Sequence, residues 1–258
     1  VRVLLLVDCY YPSPKSSAKL VHDLAVEIVR RGHEAVVVAP DDALDVPSRE
    51  SMEDGVTVFR VRTGKIKGAP LWKRGWNEMR LPSVLWSAGR SFFTARRCDL
   101  VAFYSPTIFF GPLVRRLKRL WGCPSYLILR DIFPQWAVDA GTLRKGLPYL
   151  YFKRMERAQY AAADRIGVQS PANLEYFQGQ DRPLEVLYNW TSLTPPAPAR
   201  RDYRALWGLA GKTVYFYGGN IGVAQDPDNI LRLAEALRDR RDVHFLLVGE
   251  GSEVPRLR

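Results

Sequence analysis

The sequence predicts an α/β fold built from parallel sheets covered by helices on both faces, and three observations carry that expectation. Short, continuously apolar runs rich in Val, Leu and Ile recur along the chain. Longer stretches with helical spacing separate them. A proline-rich break near residues 191–200 is followed by the same rhythm again. Strands apolar on both faces must be covered on both sides, and alternation with helices is how a parallel sheet achieves this.

Taken in order, residues 2–7 read as a buried strand. Residues 16–31 follow as a helix, with Leu20, Leu24 and Ile28 beside Val21, Ala25 and Val29 forming one apolar stripe. Gly32 ends it, since a glycine adopts the left-handed conformation after a helix at little steric cost. Strands are expected at 34–39 and 55–62, then at 99–104, 125–129, 165–168 and 184–187. Helices are expected at 108–121, 147–163 and 171–177. Residues 1–190 thus form one complete Rossmann-like domain.

The segment TSLTPPAPAR cannot continue a helix or a central strand, and 191–212 is expected to be a linker. Beyond it come a strand at 213–217, a glycine loop at 218–222, a helix at 226–238 and a strand at 243–248. Asp226 and Pro227 are the expected cap and first-turn proline of that helix. A second doubly wound domain needs on the order of 100–150 residues. Residues 213–258 are therefore expected to be the incomplete start of one.

With 258 residues, 47% hydrophobic and 25% charged, the chain is not a disordered tail, a collagen-like repeat or a disulfide-stapled mini-protein. No apolar run approaches the roughly 18–20 residues that span a bilayer. The first eight residues lack the features of a signal peptide, so a cytoplasmic location is expected. Cys9, Cys98 and Cys123 form no CxxC pair and read as reduced, buried thiols. His22, His33 and His244 show no metal-ligand spacing; each reads as structural, and no structural zinc site is expected.

Lys and Arg total 38 against 27 Asp and Glu, a formal net charge of +11. Ten of those cations lie between Arg60 and Arg97, where Glu78 is the one acid. Interleaved among them are Trp72, Trp76, Leu81, Leu85, Trp86, Phe92 and Phe93. Cations attract anionic head groups while Trp and Phe favour the water–acyl boundary, so Trp72, Lys73, Arg74, Trp76, Arg80 and Trp86 suit an anionic membrane surface. Two other readings stay open here: a solvated basic face whose aromatics turn into the core, and a nucleic-acid surface, which has charge alone in its favour.

Ligands of open parallel sheets bind beyond the carboxyl ends of the strands. That rule directs attention to residues 8–17, 105–107, 130–135, 169–170 and 188–190. In the second part, Gly218 to Gly222 lie between a strand and a helix, where glycines admit a ligand close to the backbone and free N–H groups attract phosphate. An ordinary tight turn has the same pattern. The loop has neither the GxGxxG spacing of a dinucleotide fold nor a Walker lysine.

Three segments together resemble family 4 glycosyltransferases of GT-B fold: Arg31-Gly32-His33-Glu34, Gly219-Asn220-Ile221-Gly222 with Gln225-Asp226, and Leu247-Val248-Gly249-Glu250-Gly251. Arg130-Asp131-Ile132-Phe133-Pro134, Gln169-Ser170 and Tyr188-Asn189-Trp190 bring the chain nearer to the bacterial branch that builds O-antigen and capsule, including N-acetylfucosaminyltransferase-like enzymes. The resemblance runs over essentially the whole chain. It implies a retaining transfer, with neither metal nor cofactor, from a nucleotide-diphosphate sugar as substrate, with UDP the expected nucleotide. The donor would meet Gly219, Asn220, Gly222, Gln225 and Glu250, although Glu250 also reads as an ordinary turn acid. The N-terminal domain would bind a glycan or polyprenyl-linked acceptor at the cytoplasmic face of the membrane, with no nucleic acid involved.

Asp131 is the candidate catalytic carboxylate, placed to accept or orient the proton of an acceptor hydroxyl. Capping the next segment or pairing with Arg130 is the plainer role. Ser16, Ser17 and Arg130 are candidates for an anion on the acceptor side. Two departures accompany the resemblance. The loop after the first strand has Tyr11-Pro12-Ser13-Pro14-Lys15-Ser16-Ser17 where family members commonly carry two glycines. The family's pair of glutamates seven residues apart would fall beyond Arg258, so the chain as it stands is expected to be a poor catalyst. A non-catalytic membrane-binding module using residues 60–97 is the alternative.

Overall fold

Apolar side chains on both faces of successive strands set the architecture. In the computed structural model, which describes residues 1–64, 71–179, 183–192 and 198–257 and only the backbone of 71, 72 and 74, the chain divides into two units, Val1–Leu193 and Thr194–Arg258. The first holds an eight-stranded sheet: β1 (Arg2–Leu6), β2 (Glu34–Asp41), β3 (Ser48–Glu53), β4 (Val56–Arg62), β5 (Leu100–Tyr104), β6 (Ser125–Leu129), β7 (Arg165–Val168) and β8 (Leu184–Val186). Their spatial order is β3-β4-β2-β1-β5-β6-β7-β8, parallel throughout except for β3. The pairing sets Leu4 beside Val36 on one side and Val101 on the other.

Because side chains alternate, each strand feeds two cores. Leu4, Leu6, Val36, Val38, Val101 and Phe103 face one core, while Val3, Leu5, Val37 and Ala102 face the other. Helix α1 (Ser16–Arg30) covers the second core with Val21 and Ala25. It stops at Gly32, whose φ of +80° lets His33 N–H donate back to Ile28 O at 3.2 Å. The first core is covered by α2 (Leu71–Ala95), α3 (Gly111–Trp121) and α5 (Leu147–Tyr160); the five-residue helices α4 (Gln135–Asp139) and α6 (Pro171–Glu175) complete the unit.

Three features differ from the sequence expectation. Strand β3 was not foreseen, because Ser-Arg-Glu-Ser-Met-Glu has no apolar run. It pairs with β4 across the two-residue turn Asp54-Gly55, where φ is +48° and +77°, the combination that favours Asp-Gly in a tight hairpin. Helix α3 starts at Gly111 rather than 108, because Ile108, Phe109 and Phe110 are buried in the loop before it.

Most important, α2 turns much of its apolar content inward. Leu81, Leu85 and Phe93 are fully buried, Phe92 is nearly so, and Trp86 stacks on Phe93 with ring centroids 5.9 Å apart. Trp86 is thus corrected from a membrane-facing residue to one packed against the core. The reason is that the sheet face under α2 would otherwise lie bare. Trp76, Lys73 and Arg80 do lie on the surface, with the Arg80 guanidinium 6.0 Å from the centre of the Trp76 ring. The side chains of Trp72 and Arg74 lie outside the described residues.

The second unit pairs β9 (Thr213–Gly218) with β10 (Val243–Val248) in parallel, joined through α8 (Pro227–Ala236). Residues 193–197 of the expected linker lie outside the described residues. Within its remainder is a short helix, α7 (Tyr203–Leu206), capped by Asp202, which accepts from Ala205 N at 3.1 Å. A last turn, α9 (Val254–Leu257), follows β10. Asp226 precedes α8 with φ of +42°, and its carboxylate does not cap the helix but lies 3.5 Å from Arg232.

Candidate functional site

In the first unit the chain winds outward from β1 through β2 in one direction and from β5 through β8 in the other. The strand order therefore reverses between β1 and β5, and a crevice opens at their carboxyl ends. Asp8 follows β1 there, Tyr104 closes β5, and Arg130 and Asp131 follow β6. Ser105 is wholly buried; its Oγ accepts from Arg130 N at 2.7 Å and Asp131 N at 3.3 Å. Gln169, at the end of β7, donates to Arg130 O at 2.7 Å. The Arg130 guanidinium donates to Asn189 Oδ1 after β8 and lies 5.9 Å from the Tyr104 ring centre. Four strand ends thus hold one short segment in place.

Within this well-held frame, three buried polar atoms have no hydrogen-bond partner among the described residues: Asp8 Oδ1, Tyr104 Oη and Arg130 Nε. A buried polar group left unpaired costs about 1–3 kcal/mol, and native proteins keep few of them. All three lie at one switch point, where any polar group entering the crevice would meet them. Burial raises the Tyr104 hydroxyl to about 12 despite the pull of Arg130, so it remains a donor at neutral pH. Asp131 opens to solvent on one side, yet desolvation raises its pKa; Arg130 opposes this and the Asp8 carboxylate reinforces it. Its carboxylate makes no hydrogen bond among the described residues, so it neither caps α4 nor forms a close pair with Arg130.

Asp8 also lines a cavity of about 370 Å³ with Tyr10, Lys15, Asp41, Asp42 and Arg60. Its wall is held by a chain of polar contacts. Tyr10 Oη lies 3.0 Å from His22 Nδ1, and His22 Nε2 lies 3.2 Å from the Asp54 carboxylate. Arg60 is paired with Glu53 and donates to Tyr11 O at 2.7 Å. His22 therefore packs behind Tyr10 and Tyr11, which line the cavity. Of the two candidate serines, Ser16 is exposed at the first turn of α1, and Ser17 Oγ lies 3.2 Å from Cys9 Sγ. Neither caps the helix, whose N-cap is Lys15. Cys98 and Cys123 are buried and Cys9 is half-buried, all reduced.

In the second unit, the glycine loop after β9 packs against residues 249–251 after β10. A Cβ on Gly249 would sit 1.7 Å from Gly219 O, and one on Gly251 would sit 2.0 Å from Ile221 O. Only glycine fits such an approach. The closeness also commits backbone donors: Gly219 N–H goes to Val248 O, Ile221 N–H to Glu250 O, and Gly222 N–H to Gln225 Oε1. Asn220 Nδ2 donates to the same Gln225 oxygen at 2.7 Å. Gly219, Asn220, Gly222, Gln225 and Glu250 are therefore brought together, with Gln225 as organiser of the loop. Three of the N–H groups expected to meet a phosphate are already used.

Sequence reading pointed to Arg130 and Asp131 and to the stretch containing Asp8, but not to Tyr104, which looked like the end of an apolar strand. Among the described residues, no cluster of three or more His, Cys, Asp and Glu could hold a metal ion, and no helix is long and apolar enough to cross a membrane.

The doubly wound sheet and its carboxyl-edge crevice are those of a Rossmann-like domain, and the chain belongs to the glycosyl transferase 4-like domain family, which matches residues 17–190. Among named relatives it is 25% identical to the GDP-mannose-dependent alpha-mannosyltransferase of Mycobacterium tuberculosis, over all of this chain and 65% of that protein. It is 27% identical to the probable glycosyltransferase WbjE of Pseudomonas aeruginosa, over 62% of this chain and 42% of that one. The chain therefore spans less than two thirds of the length of these relatives. Solved structures share the fold. Sucrose-phosphate synthase from Thermosynechococcus elongatus matches with a TM-score of 0.65 and 15% identity, over 96% of this chain and 62% of that one. The trehalose-phosphate synthase of Burkholderia xenovorans matches with a TM-score of 0.65 and 12% identity, over 98% and 67%.

Proposed function

We propose that this chain serves glycosyl transfer, moving a sugar from a nucleoside-diphosphate donor to a hydroxyl of a glycan or polyprenyl-linked acceptor in cell-surface polysaccharide synthesis. The observation that carries the reading is the set of unpaired polar atoms on Asp8, Tyr104 and Arg130 beside the free carboxylate of Asp131. Such a set suits sugar hydroxyls. Each hydroxyl both donates and accepts, and the set offers a carboxylate oxygen together with two groups that can donate.

In the transfer, the acceptor oxygen bonds to the anomeric carbon as the bond to the donor's diphosphate breaks, and the acceptor proton must leave. A carboxylate whose pKa is raised is a better base for that proton than an ordinary one. Charge growing on the diphosphate would be met by the start of α8 and by basic side chains. The donor is a nucleoside-diphosphate sugar. UDP-sugars follow from the sequence resemblance and GDP-mannose from the names of the relatives, while the N-acetylfucosaminyl branch rests on the resemblance alone. The exposed cations of α2 fit an enzyme that works at the cytoplasmic surface of a membrane.

The test is titration of the chain with GDP-mannose and with UDP-glucose, followed by a transfer assay with whichever binds. Asp131→Asn is expected to leave donor binding and melting temperature near those of the wild type while lowering transfer by about 100-fold or more. Failure of both nucleotide sugars to bind would overturn the reading. An Asp131→Asn variant with full transfer activity would remove Asp131 from it.

A further inference from the structure

The residues that meet a membrane need not be those whose composition suggests it. Helix α2 buries most of the aromatics in the basic stretch, but a different apolar surface is left open beside it. On α5, Leu147 is 82% exposed and Leu150 61%, and on α4 Trp136 is 48% exposed. Aliphatic side chains this bare are not explained by packing within the unit.

A row of ring contacts runs beside these residues. The Trp136 ring lies 6.1 Å from Phe133, Phe133 lies 5.1 Å from Phe152, and Phe152 lies 5.6 Å from Tyr151. Tyr151 Oη then reaches Met79 Sδ of α2 at 2.9 Å. Trp76, exposed and one turn before Met79, extends the same face. Around this apolar strip stand the exposed cations Arg144, Lys145, Arg154 and Arg157, none of them in an ion pair among the described residues. Of the nearby acids, Asp139 is exposed and keeps its charge, since the Gln135 amide it accepts from is uncharged, while Glu156 is buried with Lys153.

We infer that the first turns of α5, with Trp136 of α4 and Trp76 of α2, form the face that docks on an anionic lipid bilayer. Leu147 and Leu150 enter the acyl boundary, and Arg144, Lys145 and Arg154 lie among the head groups. Charge complementarity selects the occupant. Cations ringing bare aliphatic side chains match a layer whose surface is anionic and whose interior is apolar, whereas a nucleic-acid backbone offers nothing for the leucines. This deepens the membrane part of the reading above by moving its apolar contact from the aromatics of α2 to α5, and it does not depend on the donor or the reaction.

The experiment is co-sedimentation with vesicles of phosphatidylglycerol mixed with phosphatidylcholine, and with vesicles of phosphatidylcholine alone. The wild-type chain is expected to partition onto the anionic vesicles and far less onto the neutral ones. Leu147→Ser with Leu150→Ser should weaken that binding on the order of tenfold or more, and Arg144→Gln with Lys145→Gln roughly tenfold. These residues are exposed, so both variants should keep the wild-type melting temperature. Equal binding to neutral vesicles, or no binding to anionic ones, overturns the inference. So does unchanged binding of the leucine variant, which would place the contact elsewhere. Nucleotide-sugar binding, measured on the same samples, reports separately on the proposed function.

Discussion

Two groups of buried polar side chains in the first unit are built from the same kinds of residue and behave in opposite ways. Between α3, α5 and α6, Glu156 and Gln159 are 1% and 0% exposed, and every polar atom finds a partner. Glu156 meets Lys153 at 2.5 Å, Tyr176 Oη at 2.7 Å and Tyr160 Oη at 3.1 Å. Gln159 donates to Thr107 O at 2.8 Å and accepts from Phe110 N at 3.2 Å, fixing the loop before α3. At the carboxyl edge, Asp8, Tyr104 and Arg130 are left with buried atoms that have no partner among the described residues. The first group is satisfied by the fold and holds it together. The second is destabilising by itself unless polar groups entering the crevice satisfy it.

The largest effect that tests this contrast lies in the satisfied group. Lys153→Met leaves the Glu156 carboxylate buried without its cation, and should cost about 3–5 kcal/mol in urea unfolding. A loss under about 1 kcal/mol would show that the two tyrosines alone support the charge. In the unsatisfied group the sign should reverse. Tyr104→Phe removes a buried hydroxyl that bonds to nothing, so the chain should keep or gain stability, by up to about 1 kcal/mol. A clear drop in melting temperature would mean that the hydroxyl has a structural partner and that the crevice is not poised for a ligand.

The smallest effect concerns pH. Burial raises the Asp131 pKa, so the folded chain holds that proton more tightly than the unfolded one. The stabilisation is present below the ordinary carboxylate pKa and lost as pH rises through the raised one. Asp131→Asn should therefore flatten the fall in urea midpoint across that window. Parallel profiles for the two proteins would place Asp131 in ordinary solvent. The Glu27 carboxylate gives an internal contrast: hydrogen bonds from Arg30 and Arg31 hold it down at about 2, so it titrates well below the same window.

Much of the fold was legible because apolar periodicity is a local property. Strands Ser125–Leu129, Arg165–Val168 and Val243–Val248 lie where the sequence places them, since each is a short branched run bounded by turns. Strand β3 escaped because its partner, not its composition, makes it a strand. The Asp54-Gly55 turn was the signal that could have revealed it. At the site, Asp131 and Arg130 were legible from their position just beyond an apolar strand. Tyr104 was not, because a tyrosine that ends such a strand looks like core until the environment of its hydroxyl is known.

The sequence by itself determined the alternation of strand and helix, the covering of the sheet on both faces and the positions of the strand ends. These follow from where apolar residues recur, which neighbours a few positions apart decide. Tertiary structure alone decided which polar atoms stay unpaired, which aromatics of α2 enter the core and which leucines of α5 remain bare. Those outcomes depend on residues far apart in sequence, such as Tyr151 and Met79 or Arg130 and Asn189. No local pattern records whether such partners meet.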